Sequence, residues 1–192
     1  MDTLQLFIKE YHSVLHDWLY VLMIRLLNRQ GHEVLASHQK AIQETLAVVR
    51  SHFPHVLQFN TCCRYVSDNT QTPDFRVKSC LLEHMKDLLL MMGPDTIYNS
   101  NPETVMAVSR IISWSTEPKS AEVRRMASRV VIKLFDLNPS NFFQLIQNIP
   151  RHFQDRAQDI LKTYQNTTSG SGGRGINLMM DARNKNSSFS QL

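Results

Sequence analysis

The stretch NPETVMAVSRIISWSTEPKSAEVRRMASRVVIKLFDL (101–137) decides the fold. An Asn–Pro pair opens it, and Ser120 stands before its second half; both are typical N-cap signals of α-helices. Apolar residues of the second half recur at steps of four, three and four, the period of one helix face. They are Val123, Ala127, Val130 and Leu134. The stretch therefore predicts two helices joined by a short polar loop.

The same helical period continues on both sides of this hairpin. Apolar residues step by four and three through Ile42–Phe53 and through Leu81–Met92, and stretches of alternating polarity are missing. Thr72-Pro73 and Asn138-Pro139 repeat the capping signal, and Gly31 indicates a helix stop. The sequence predicts an all-α fold with helices at about 2–12, 17–29, 37–53, 55–68, 74–92, 102–115, 121–136, 140–148 and 154–165.

Eight of the predicted helices, all but the first, pair into hairpins of similar length. The hairpins cover 17–53, 55–92, 102–136 and 140–165, and basic residues follow the loops of the first three at spacings of 38 and 46 residues. A degenerate repeat of about 40 residues is typical of a HEAT-like α-solenoid, in which neighbouring hairpins bury each other's apolar faces. An irregular helical bundle is the alternative interpretation.

Composition limits the class of protein and its domain organisation. The chain has 192 residues, 42% of them hydrophobic, a formal charge of +4, and no apolar run long enough to cross a bilayer. Its three cysteines fit a reducing compartment rather than a disulfide framework, and its N-terminus does not resemble a secretory signal. We predict a folded body over 1–166 and a flexible Gly/Ser/Asn-rich tail over 167–192.

The sequence gives only weak support for a catalytic or metal-binding site. His12 and His16 are four residues apart, but no acidic or cysteine ligand completes a metal set. Cys62, Cys63 and Cys80 lie among apolar neighbours and are interpreted as small core residues, although a Cys–His pair remains an alternative. No nucleotide-binding glycine motif or nucleophile elbow is present in the sequence. We therefore expect no metal and no cofactor.

Basic residues follow the polar loops NTQTPD (69–74) and STEPKS (115–120). A cation in the first turn of a helix opposes the helix dipole, so its repetition in several hairpins suggests a use for the charge. In a solenoid these positions form a stripe along one rim. Solvated helix ends, paired with nearby acidic residues, are an equally good interpretation. The candidate rim residues are Lys40, Arg76, Lys78, Lys119, Arg124 and Arg125.

Long segments of the chain resemble the CLASP family of microtubule-associated proteins. They are DWLYVLMIRLLNRQG (17–31), LQFN (57–60), DNTQTPDFRVK (68–78), AVSRIISWSTEPKSAEVRR (107–125) and LFDLNPSNFF (134–143). The resemblance spans about residues 3–166 and is to a C-terminal TOG domain of the family. It implies HEAT-like hairpins whose loops bind tubulin, and it implies no enzymatic activity. It also implies a protein that stabilises growing microtubule plus ends, in the cytoplasm and at the mitotic spindle and kinetochore.

The resemblance also has a departure. The family's domain has six hairpins, whereas four and a leading helix are predicted here, and no residue matches the family's first-loop aromatic anchor. Trp18 is expected in the core, and Trp114 adjoins the 115–120 loop. Lys78, Arg124 and Arg125 are expected to be exposed and free of internal partners. The partner is expected to be tubulin, with other plus-end proteins possible; neither nucleic acid nor membrane insertion is expected. A non-catalytic scaffold that has lost tubulin binding is the alternative.

Overall fold

The computed structural model describes residues 1–97 and 101–169, and within these ranges it contains nine α-helices, two short 3-10 turns and no strand. The 3-10 turns, His12–Val14 and His16–Trp18, connect the first two helices. The helices are α1 (Asp2–Tyr11), α2 (Leu19–His32), α3 (Ala36–His52), α4 (His55–Ser67), α5 (Phe75–Leu89), α6 (Pro102–Trp114), α7 (Ala121–Leu137), α8 (Pro139–Gln147) and α9 (Arg151–Ser169).

Three of the predicted N-caps are confirmed. The side chain of Asn101 accepts a hydrogen bond from the backbone N–H of Glu103 at the start of α6. Ser120 caps α7 and Asn138 caps α8 in the same way. Each cap satisfies a backbone donor that the first turn of a helix leaves unpaired, which fixes where the helix begins.

The predicted cap at Thr72 is wrong. Helix α5 begins at Phe75, and the Asp74 carboxylate accepts hydrogen bonds from the backbone N–H groups of Arg76 and Val77, both at 2.9 Å. A carboxylate satisfies two donors at once and is favoured at the positive end of the helix dipole, so Asp74 replaces the Thr-Pro signal two residues earlier.

The helices stack in two layers around a continuous apolar core. Helices α4 and α6 lie side by side in one layer; α5 and α7 form the other, where α2 also packs against α5. The residues predicted to face the interior are all buried, which confirms the periodic pattern. They are Leu81, Met85, Val130 and Leu134. The predicted all-α solenoid of stacked hairpins is therefore confirmed.

Gly31 has a role beyond the predicted helix stop. A Cβ atom at this position would lie 2.8 Å from the Val77 side chain and 2.9 Å from its backbone nitrogen. Helix α2 therefore approaches the start of α5 more closely than any larger residue would permit. This contact sets the end of α2 against the first turn of α5.

The two ends of the array differ from each other. Helix α1 lies on α3 through buried Ile8 and a 3.0 Å hydrogen bond from Gln5 to Thr45. Trp18 is 37% exposed, so the expectation that it lies in the core is wrong. At the other end α9 packs against α6 and α7.

Helix α9 continues to Ser169, three residues beyond the predicted body boundary at 166. Most of the predicted tail, residues 170–192, lies outside the described residues. No described helix is both long and apolar enough to cross a membrane.

Candidate functional site

Three loops meet along one edge of the array, which we call the loop edge: residues 33–35 between α2 and α3, 68–74 between α4 and α5, and 115–120 between α6 and α7. His32, at the end of α2, lies 3.1 Å from the carboxylate of Asp74 in the second loop. This contact places the loop ends of the first two hairpins beside each other, as a solenoid requires.

An arginine of α6 fastens the second loop. Arg110 donates hydrogen bonds to the backbone carbonyls of Val66 at 2.7 Å and Asp68 at 3.0 Å, and it also bonds the side chain of Asn69. Arg156 of α9 binds the hydroxyl and the carbonyl oxygen of Ser115 in a similar way. Because charged donors form strong hydrogen bonds, both arginines satisfy carbonyls at the C-terminal ends of helices α4 and α6.

Glu117 is the centre of the third loop. Its carboxylate lies 2.7 Å from the Lys78 ammonium group, and both side chains are largely buried, 15% and 18% exposed. The same carboxylate accepts a hydrogen bond from the backbone N–H of Lys119, and the Glu117 carbonyl accepts one from Arg124 at 2.7 Å. Glu117 therefore contacts three of the six predicted rim residues, Lys78, Lys119 and Arg124, and its bond to Lys78 joins two hairpins.

The loop edge is organised by ionised carboxylates. The Lys78 hydrogen bond lowers the pKa of Glu117, and the backbone N–H of Val77 lowers the pKa of Asp74. The pKa values of Glu33 and Asp68 are also lowered, chiefly by hydrogen bonds from the Leu35 backbone and the Thr70 hydroxyl. Glu33, Asp68 and Asp74 are stabilised in their charged forms by donors close in sequence, and Glu117 chiefly by Lys78 of the preceding hairpin, so all four are ionised at neutral pH.

The expectation that Lys78, Arg124 and Arg125 are exposed and free of partners is wrong. Lys78 is neutralised by Glu117, a residue 39 positions later in the chain, and its ammonium lies 5.2 Å from the centre of the Trp114 ring. Arg124 is half-buried because its guanidinium binds loop carbonyls, and exposed Arg125 forms an ion pair with Glu122.

Arg76 and Lys119 retain free charge. Both side chains are exposed, and neither has a carboxylate within ion-pair distance among the described residues. Lys40, on the second turn of α3, is 78% exposed, and its ammonium lies 4.0 Å from the carboxylate of Glu44, the upper limit for an ion pair. No contact joins Lys40 to the Glu117 group, so the structure does not bring it together with the other rim residues.

Three exposed apolar residues of the loop edge were missed by the sequence analysis. Val34 and Leu35 occupy the first loop with 79% and 54% exposure, and Phe75 opens α5 with 45% exposure. The guanidinium of Arg76 lies 5.7 Å from the centre of the Phe75 ring. Apolar residues in or next to a polar loop are the sequence signal that could have identified these positions. Such side chains can anchor a protein partner.

The histidines and cysteines were the weak candidates for metal binding and nucleophilic chemistry. No group of three or more His, Cys, Asp or Glu side chains there could hold a metal ion. Cys62 and Cys63 are buried, as predicted, and burial raises the pKa of the Cys63 thiol to about 12. Because the thiolate is the nucleophilic form, this thiol is unreactive at neutral pH.

Comparison with known proteins finds relatives named CLIP-associating protein or CLASP. The chain is 41% identical over 171 residues to CLIP-associating protein 1 of Xenopus tropicalis. It is 29% identical over 179 residues to the CLIP-associating protein of Drosophila melanogaster, and 24% identical over 166 residues to CLASP-2 of Caenorhabditis elegans. No protein-family model matches the chain.

The chain is a small part of these relatives by length. The matches cover 89%, 92% and 85% of this chain, but only 12%, 12% and 16% of the respective relatives. Because 171 of the 192 residues align with the Xenopus protein, the similarity extends over most of the described helices. The similarity therefore concerns this helical module.

Proposed function

Since the chain belongs to the CLIP-associating protein family over the segment it shares with these relatives, we propose that it is a tubulin-binding helical module whose loop edge contacts tubulin. The family resemblance supports this assignment, because it implies tubulin binding through the loops between paired helices. The proposed module is a partial TOG domain of residues 1–166.

The observation that carries the proposal is the pair of free cations on adjacent loops. Arg76 follows the second loop and Lys119 lies in the third, both exposed and without a carboxylate partner among the described residues. Tubulin has a strongly acidic surface, so two uncompensated cations on one edge favour its approach and orientation.

The paired charges have a different part in the proposed interaction. The Lys78–Glu117 ion pair and the Arg110 contacts hold the loops in place before binding. A partner then has less loop entropy to remove, which favours affinity. Phe75 supplies apolar contact area beside Arg76, and Val34 and Leu35 supply further apolar area in the first loop.

The cellular setting follows from the same proposal. A module of this kind acts without catalysis, within a protein that associates with microtubules and with other plus-end proteins. We expect cytoplasmic localisation on the cytoskeleton, at growing plus ends, and at the spindle and kinetochore in mitosis. Stabilisation of microtubules against catastrophe and promotion of rescue are the expected outcomes.

Tubulin binding tests the proposal directly. The full chain and its Arg76→Glu/Lys119→Glu variant are compared by co-elution with tubulin on size exclusion, at low and at moderate salt. We expect the double reversal to weaken binding on the order of tenfold or more, since charges at an interface rim control encounter. Added salt should weaken binding of the parent chain by screening the same charges.

The matched control is Lys133→Glu/Lys162→Glu, which makes the same charge change on α7 and α9 away from the loops. Equal loss in both double variants would mean nonspecific charge attraction and would contradict the loop-edge assignment. If the folded parent chain does not bind tubulin, the scaffold alternative replaces this proposal.

A further inference from the structure

The N-terminal end of the array carries an exposed aromatic cluster, which we call the aromatic face. The ring of Phe7 lies 5.1 Å from Tyr11 and 6.1 Å from Trp18, measured between ring centres. Phe7, Tyr11 and Trp18 are 41%, 53% and 37% exposed. Nearby Val14 is 76% exposed. Aromatic side chains at this exposure are enriched in protein interfaces.

Helix α1 is apolar on two sides. One side carries buried Ile8 and lies on α3, where Gln5 bonds Thr45. The other side carries Phe7 and Tyr11, which the described part of the chain leaves uncovered. A helix with apolar residues on two sides packs against two neighbours, and only one of them is present in the array.

The aromatic face is large enough to form an interface. At roughly 150–250 Å² for each aromatic side chain, the exposed fractions leave on the order of 250 Å² on the three rings alone. Further exposed apolar side chains of the first 21 residues extend the surface. They are Met1, Leu6, Val14 and Val21. The total approaches the roughly 800 Å² that each partner contributes to a stable interface.

The surrounding charges suit a partner with the same surface. Glu10, Asp17 and Arg25 are exposed, and each adjoins an exposed apolar residue of this end in sequence or at helical spacing: Tyr11, Trp18 and Val21. None of these three charged residues forms an ion pair within residues 1–97 and 101–169. Free charges of both signs around an apolar centre permit a two-fold arrangement in which cations of one copy meet carboxylates of the other.

The opposite end of the array offers no complementary surface. Among residues 101–167, Met106 is the one large hydrophobic side chain exposed to a comparable extent, and it lies on α6 rather than on α8 or α9. Head-to-tail stacking would therefore place the aromatic face on a polar end. We propose that the aromatic face binds the aromatic face of a second copy of this chain, which gives a closed two-fold dimer.

Mass measured against concentration tests the proposal. Light scattering after size exclusion should show the full chain moving from the mass of one 22.2 kDa chain toward twice that mass as concentration rises. Tyr11→Glu and Val14→Glu, tested separately, should each weaken the dimer on the order of tenfold or more, because each buries an unpaired charge at the contact. Circular dichroism should show helix content unchanged in both.

Val34→Glu is the matched control, since Val34 is 79% exposed and lies at the loop edge. It should dimerise like the parent chain. A parent chain that stays monomeric at every concentration overturns the proposal. So does a dimer that survives Tyr11→Glu and Val14→Glu, or one that is lost in Val34→Glu. Masses beyond the dimer would indicate an open assembly and would also contradict the closed two-fold contact.

Discussion

The apolar layer that α5 and α7 form and the loop edge at the ends of the same helices are built in different ways. The layer consists of residues such as Val77, Leu81 and Val130, which are fully buried at helical spacing. The edge depends on carboxylates and their hydrogen-bond donors, and at Glu117 the donor, Lys78, lies in another hairpin. Stability therefore resides mainly in the periodic layer, while the arrangement of charges depends on contacts between hairpins.

The largest expected effect is in the apolar layer. Leu134→Ala should lower the free energy of unfolding by about 2–5 kcal/mol, because it leaves a cavity at a side chain that is 3% exposed. Denaturant unfolding measures the change. Leu90→Ala, at a side chain 62% exposed, is the control and should have little effect. A change below about 0.5 kcal/mol in Leu134→Ala would mean that the assigned facing of α7 is wrong.

The next expected effect is a pH dependence of the unfolding free energy that arises in the apolar layer and not at the loop edge. His84 is buried in α5, neither ring nitrogen has a hydrogen-bond partner among the described residues, and burial lowers its pKa from 6.5 to about 4. The nearby Arg50 also lowers this pKa, whereas Asp87 raises it. Because the unfolded chain binds the proton more readily, His84 contributes stability above pH 6.5 that is lost as pH falls toward 4.

Between pH 7 and pH 5 the free energy of unfolding should fall by about 2 kcal/mol through His84. The edge carboxylates stay charged over that interval, because their lowered pKa values lie below the ordinary 4.5 of Glu and 3.8 of Asp. Urea unfolding of the parent chain and of His84→Leu at both pH values isolates the contribution. An equal loss in His84→Leu would place the pH dependence elsewhere.

A smaller effect is expected at the loop edge itself. Glu117→Gln should cost about 1 kcal/mol, because it removes the charge that pairs with half-enclosed Lys78. Glu122→Gln breaks the Arg125 ion pair, whose partners are 53% and 49% exposed, and it should cost less than about 0.5 kcal/mol. Thermal unfolding of the two variants compares them. Equal costs would show that enclosure between hairpins adds nothing to the Lys78–Glu117 pair.

The sequence predicts the layer better than the edge for a physical reason. Helical period and caps are local signals, so the buried positions and the caps at Asn101, Ser120 and Asn138 are visible in it. The capping choice between Thr72 and Asp74 is also local, but two neighbouring candidates compete, and the stronger acceptor determines where α5 begins.

Contacts between hairpins carry no comparable signal. Nothing in the spacing of Lys78 indicates that Glu117, 39 residues later, neutralises it. Trp18 lies in the helix predicted over 17–29, yet in the structure it ends the second 3-10 turn and is 37% exposed, with only Phe7 of α1 packed against its ring among the aromatic side chains described. The candidate rim residues were identifiable from their positions after the loops, whereas their exposure and pairing depend on how the hairpins stack.

Hydrogen exchange of the full chain with and without tubulin tests the central claim, that the loop edge is the binding surface, most directly. The account predicts slower amide exchange on tubulin addition in residues 68–76 and 115–120, beside Arg76 and Lys119. The opposite edge, where Asn138 bonds the carbonyl of Pro94 at 3.1 Å, should exchange as before. Protection confined to that opposite edge or to the aromatic face, with the two loops unchanged, would contradict the account.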